Sequence, residues 1–409
     1  MTISHGLSLP GPDSESVMGL NVLHDFDLPV MTLHDATVKS NVAAMARYCK
    51  KEGVSLAPHA KTSMTPYITN LQLESGAWGL TVASIVQARH VFNMGVRRII
   101  LANVLVEELG VDWVAERFLG HARPETDFMC YVDCERGIEI LESRLQSLDV
   151  KSRLGILIEV GYVGGRTGAR SLSGAVALAR KVSKSDVLEL RGIAGFEGLL
   201  PSGKHSVPPG LDSYLGSIHE VVNACAAEAL FEGRPVVSAG GSSFFDRVSE
   251  LLGPQQFRFP VETILRSGCY ATHDHGLYEA TSPFNSRRKS EDGPRFLPAL
   301  ELIAAIWSRP EPELVIAGFG RRDVPTDDMM PTVVGIFDSA DEVVPVHSFS
   351  VMAVNDQHAF VKVPADSRCE PGNLLSVGIS HPCGAFDRWR AIQIVNSSHT
   401  VLGVSIPKL

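Results

Sequence analysis

The chain lacks several features that would place it in other protein classes. No apolar run approaches 18 residues, so a membrane-spanning helix is not expected. Basic residues form no block, and 37 Lys and Arg against 46 Asp and Glu leave a net charge of −9. A nucleic-acid footprint is therefore not expected. The opening "MTISHGLSLPGPDSES" lacks a basic segment followed by an apolar one, so no secretory signal is read there. Cysteine is sparse and odd in number, seven in 409 residues, which argues for reduced thiols in a cytoplasmic setting. Internal repeats and low-complexity tracts are also missing.

What is present is globular: 44% apolar and 20% charged residues. A length of 409 residues is too much for one ordinary domain and suits a barrel with a smaller partner. From residue 54, short β-branched runs alternate with longer stretches of helical periodicity. The runs cover 54–60, 79–84, 97–104, 128–134, 153–161, 190–198, 235–241 and 263–272. "ASIVQARHVFNMG" and "DSYLGSIHEVVNACAAEALFEG" repeat apolar residues at helical spacing, the second with Gly233 as its expected stop. Eight strands with seven or eight helices predict an α/β fold, a (β/α)8 TIM-type barrel, over 36–285. The rival is a doubly wound open sheet, but no GxGxxG opens a helix after the first strand. Past the polar linker "PFNSRRKSEDGPRF", strand-like pieces broken by turns predict a second, mostly β domain over 286–409. One more strand at 28–35, ahead of a long helix at 36–52, stands outside the eight, and residues 1–35 are expected to join that β domain. Cys130 and Cys134 are expected on one face of a strand.

Barrel enzymes carry their reactive groups where strands end. Strand one runs into Lys61, whose charge cannot lie unpaired inside a packed barrel, so it belongs at the mouth or on a solvated loop. Strand seven ends in "SAGGSS", where Gly240 and Gly241 admit backbone N–H groups to an anion and Ser242 and Ser243 add hydroxyls, although a plain tight turn reads the same way. Strand eight ends in "SGCY", Gly268, Cys269 and Tyr270, and loops after strands seven and eight form the usual phosphate cradle of this fold. A phosphate grip opposite a lysine suits pyridoxal phosphate.

These motifs resemble the D-serine dehydratase and D-threonine aldolase family of fold-type III pyridoxal phosphate enzymes, whose barrel is related to that of alanine racemase. The likeness covers nearly the whole chain. "PHAKT" is similar to the family's cofactor-lysine segment, with Lys61 as the lysine. "EVGYVGGRTG" is similar to its strand-five segment, with Arg166 as the arginine. "SAGGSS" resembles the phosphate loop with Ala239 in place of a glycine, and "SGCY" the second phosphate segment. "NDQHAFV" resembles a β-domain segment in which Ala359 replaces a glycine. The resemblance implies that His381 and Cys383, in "SHPCGAFDRWR", hold a divalent metal. Imidazole with thiolate suits zinc, where magnesium and calcium prefer oxygen. A buried cysteine near a surface histidine is the bland alternative.

The resemblance further implies a homodimeric lyase acting on a β-hydroxy D-amino acid. Dehydration to a 2-oxo acid and ammonia is expected first, retro-aldol cleavage to glycine and an aldehyde second. A non-catalytic pyridoxal phosphate carrier is a remote third, since a carrier needs neither the second domain nor a metal pair. Weaker candidates are His59, His358 and the "HDH" of His273, Asp274 and His275, whose use as a second metal site is not favoured.

Overall fold

The computed structural model describes residues 14–120, 125–148, 150–202, 206–288, 293–338, 343–344, 346 and 348–408. The start of the chain and linker residues 289–292 lie outside these. Strand β1 (Val30–His34) precedes the long helix Asp35–Glu52. Eight parallel strands follow: β2 (Ser55–Leu56), β3 (Leu80–Val82), β4 (Arg98–Val104), β5 (Asp127–Val132), β6 (Leu154–Val160), β7 (Leu188–Gly195), β8 (Val236–Ala239) and β9 (Glu262–Leu265). Each falls within or next to one of the eight runs expected from the sequence.

The strands pair in the order β2-β9-β8-β7-β6-β5-β4-β3. The two ends are then joined by a parallel bridge between His59 and Thr81, and by the Trp78 N–H donating to Leu56 O at 2.7 Å. This closes the sheet into a barrel. Its interior is packed by residues from nearly every strand, among them Ile100, Met129, Tyr131, Leu157, Ala194, Val236 and Ile264. Strand β6 is buried at all seven positions because side chains cover one face and helices the other, which is why these strands read as continuous apolar runs.

The helix Leu211–Ala227 shows how the outer layer docks. It buries Leu211, Tyr214, Leu215, Ile218, Val222 and Cys225, one stripe at helical spacing. Gly195 ends β7 beneath it. A Cβ there would lie 2.5 Å from Tyr214 Oη and 2.6 Å from Ile218 Cδ1, so a larger residue would have to displace both side-chain ends. The helix ends well before Gly233, because the chain turns at Ala229 with φ +53. The shared face expected for Cys130 and Cys134 is not formed. Strand β5 stops at Val132, and the exposed Cys134 sits in the extended cap position of the helix Glu135–Gln146 while Cys130 is buried.

The second sheet is built from β1 together with β10 (Leu300–Glu311), β11 (Leu314–Ala317), β12 (Thr332–Phe337), β13 (Val343–Val344), β14 (Ser350–Val354), β15 (Ala359–Lys362), β16 (Leu374–Gly378), β17 (Ile392–Val395) and β18 (Val401–Ser405). Its main path is β13-β12-β16-β10-β1-β17-β18, with β11, β15 and β14 branching from β10. One apolar cluster on it gathers Val17, Val22, Val30, Ile303, Phe337, Val395 and Val401. By their contacts, residues 45–61 and 72–268 form one compact unit holding the barrel. Residues up to 44, 62–71 and 269–409 form the other.

Candidate active site

In the barrel unit, Lys61 lies on a 3₁₀ turn (Ala60–Thr62) just past the His59 bridge, and is exposed. It lines a cavity whose empty space, open mouth included, is about 720 Å³. The other walls include His59, Asn103, Tyr131, Glu159, Arg166, Phe196, Gly241 and Arg266, most of them at or beyond the C-terminal ends of strands. That is where this fold places its chemistry.

Besides Lys61, two arginines mark the cavity. The buried Arg266 donates to Ser238 Oγ at 2.7 Å and to Gly195 O at 2.5 Å, with its guanidinium 5.8 Å from the Tyr131 ring centre. Arg166 lies over the Phe196 ring at 5.4 Å. His59 is held neutral: burial lowers its pKa well below the ordinary value, and the charges of Lys61, Arg266 and Arg166 lower it further. Burial raises the Glu159 carboxyl, partly offset by Thr167 and the two arginines. Burial also pushes the Tyr131 hydroxyl up to about 12. Glu159 Oε2 and Tyr131 Oη are both buried without a hydrogen-bond partner, although both residues line the cavity. Each such orphan costs about 1–3 kcal/mol. The cavity is therefore built for a polar ligand, and a lysine at the mouth with fixed cations in the wall fits an anionic aldehyde cofactor.

The glycine pair after β8 is arranged differently from the sequence expectation. Gly240 adopts φ +93, and the N–H groups of Gly240 and Gly241 donate to the fully buried Glu197 carboxylate at 3.2 and 2.6 Å. The anion they hold is internal. Ser242 is buried next to them. Gly268 is required by close approach, because a Cβ there would lie 2.4 Å from His59 O. Sequence reasoning missed Glu159, Glu197, Tyr131 and Arg266. A lone carboxylate inside the apolar run "RLGILIEVG", and an arginine directly before "SGCY", were the available signals for two of them.

In the other unit, His381 and Cys383 follow β16 on a turn through Pro382, which caps the short helix Cys383–Phe386. Asp327 accepts from His381 Nδ1 at 2.6 Å, which leaves Nε2 as the ring nitrogen for a ligand. Cys383 Sγ lies 3.4 Å from Cys269 Sγ and 3.6 Å from Thr62 Oγ1. The Cys383 thiol is held well below its ordinary pKa by the hydrogen bond from Cys269 and by His381 beside it. His381 is pushed up to about 9 by its hydrogen bond with Cys383 and by Asp327. A ready thiolate next to an oriented imidazole is a metal-binding donor set. Among the described residues, no third His, Cys, Asp or Glu atom joins both within 4.8 Å.

The remaining candidates separate by burial. Tyr270 is fully buried, its ring 5.7 Å from Phe296, and contributes to packing. His358 is exposed on the β14–β15 turn beside Trp307. His273 bonds Glu279 at 3.2 Å, His275 is lowered to about 4 by burial, and Asp274 Oδ1 caps the helix Leu277–Thr281 by accepting from Gly276 and Tyr278. These three form no metal cluster among the described residues.

Residues 299–395 match the putative serine dehydratase domain. A D-threonine aldolase from an Arthrobacter species is 24% identical over 400 residues, 96% of this chain and 94% of that one. The solved D-threonine aldolase from Filomicrobium marinum superposes with a TM-score of 0.77 at 22% identity, covering 95% and 97% of the two chains. The D-threo-3-hydroxyaspartate dehydratase from Delftia sp. HT23 gives 0.70 at 20% identity, covering 93% and 97%. A D-threo-3-hydroxyaspartate dehydratase is also solved as a cysteine-to-alanine variant in a metal-free form and as a histidine-to-alanine variant, the two positions lying two residues apart. An alanine racemase-like protein from Idiomarina loihiensis shares the architecture as well. The fold is alanine racemase-like. The resemblance to dehydratases and aldolases of D-amino acids runs through nearly the whole chain, while alanine and histidine racemases share the fold at 10–13% identity. Among the described residues no helix is long and apolar enough to cross a membrane.

Proposed function

We propose that this protein is a pyridoxal phosphate- and zinc-dependent lyase that dehydrates and deaminates a β-hydroxy D-amino acid to a 2-oxo acid. The observation that carries the reading is the His381–Cys383 pair, with Asp327 fixing the imidazole. It is supported by a barrel cavity that has a lysine at its mouth and two unpartnered polar atoms in its wall. When bound, the cofactor supplies an electron sink for negative charge at the substrate's Cα. Lys61 Nζ would hold the cofactor, and as a free amine it would take the α-proton. Arg266, preset by its bonds to Ser238 and Gly195, gives an anionic ligand a fixed positive charge. His381 and Cys383 would hold zinc, whose Lewis acidity would make the β-hydroxyl a better leaving group.

Retro-aldol cleavage uses the same groups, with the metal on an alkoxide instead. The thiolate ligand favours dehydration, because the relative described through histidine and cysteine variants at this spacing is a dehydratase. Product analysis tests the choice. With D-serine, or a related β-hydroxy substrate, pyruvate-type acid and ammonia are expected; glycine with an aldehyde would replace the dehydratase by the aldolase. The cysteines are all free, in keeping with a cytoplasmic enzyme, and the family likeness supports a homodimer.

A further inference from the structure

The second sheet brings three distant segments to one of its ends. β10 pairs with β1 in the register Thr32↔Glu301, and β1 runs parallel to β17 with His34 opposite Val395. His34 therefore ends β1 beside Glu301 on β10, and His399 reaches the same point from the turn between β17 and β18. Both Nε2 atoms meet one carboxylate oxygen: His34 lies 2.6 Å and His399 3.0 Å from Glu301 Oε2. The hydroxyl of Ser376 donates to the other oxygen. The imidazoles stand edge to face at 5.5 Å, and Phe337 closes on His399 at 5.2 Å. Glu301 and His399 are buried, while the His34 side chain stays 24% exposed and leaves a way in from solvent. His399 keeps a left-handed backbone, φ +58, to hold its ring there.

We propose that His34, Glu301 and His399 form a second metal site, distinct from His381 and Cys383, that takes zinc or a similar borderline divalent ion. Two imidazole nitrogens and one carboxylate oxygen are a zinc donor set with one position left open, whereas calcium and magnesium require more oxygens. The three ligand atoms already lie within 4.8 Å of one another. Ligands at about 2.0–2.2 Å from a tetrahedral ion sit roughly 3.3 Å apart. Receiving it therefore needs His34 to draw back from Glu301 by roughly 0.7 Å and His399 by roughly 0.3 Å. Ser376 supplies the outer hydrogen bond that orients the carboxylate. The ion would tie the first strand of the sheet to its last hairpin through β10, a structural clamp that needs no substrate.

The test counts zinc in the full-length protein after chelator stripping and reloading, and follows thermal unfolding with and without zinc. Wild type should hold two ions per chain. H381A/C383A should hold one, and zinc should still raise its unfolding temperature. H34A/H399A should lose one ion and Glu301→Gln, which keeps the side-chain shape, should weaken the same ion at least tenfold. Should H34A/H399A fail to fold, the ion retained by H381A/C383A and its loss on adding Glu301→Gln still decide. A chain that binds no zinc once His381 and Cys383 are gone would overturn the site, as would an ion that persists unchanged after Glu301→Gln in that background.

Discussion

Asp274 shows how one residue between two histidines can mislead. Its sequence neighbours suggest a ligand, but its Oδ1 is committed to backbone N–H groups of the next helix and its buried Oδ2 has no partner. Burial pushes the carboxyl up to about 7, despite the N–H groups and the nearby His381 that favour the charge. Because the folded pKa lies above the unfolded value near 3.9, protonation stabilises the fold fully below about pH 4, and this is lost as pH rises through about 7. Asp274→Asn keeps the cap and removes the charge. It should flatten the fall in unfolding temperature between pH 4 and 7 and be the more stable protein at pH 8, by up to roughly 4 kcal/mol. Parallel pH profiles for the two proteins would show that the buried charge is not responsible. At the same scale, Lys61 was legible because a lysine ending an apolar strand must leave the packed interior, for the mouth or a solvated loop. Glu197 was not, since nothing local says that a carboxylate will occupy the glycine N–H groups of a loop some 40 residues away.

Elements differ in what sets them. The barrel strands are buried on both faces, so their apolar runs show plainly in the sequence. β17 and β18 are short pieces near turn residues, and pairing with β1 and with each other is what makes them strands. Glycines inside elements separate into two kinds that the sequence does not distinguish. At Gly192 in β7 a Cβ would stand 1.9 Å from Val236 O, a backbone atom of the neighbouring strand. At Gly216, inside the helix Leu211–Ala227, a Cβ meets nothing within 4 Å. Gly192→Ala should therefore part β7 from β8 and cost about 3 kcal/mol or more. Gly216→Ala should stabilise the protein by about 0.5–1 kcal/mol through helix propensity. Urea midpoints of the two variants, moving in opposite directions, would check both.

For the whole molecule, the important fact is that the two sets of chemical groups are built by different units of the chain. Lys61, Glu159 and Arg266 belong to the barrel, and His381, Cys383 and Asp327 to the unit carrying the second sheet. Each set is held by contacts within its own unit, so the two should fail separately. Lys61→Ala should remove the cofactor's visible absorbance, and the borohydride label that marks the Lys61 peptide in wild type, while leaving the zinc of His381 and Cys383 in place. Cys383→Ala removes one of two protein ligands, so that zinc should be lost and turnover should fall at least 100-fold with the absorbance kept. Chelation of the wild-type protein should reproduce the second pattern and be reversed by zinc. The measurements are an absorbance spectrum, metal content and turnover on the same samples. Full turnover after complete metal removal would leave His381 and Cys383 without a chemical role, and loss of cofactor from Cys383→Ala would show that the two sites do not stand independently.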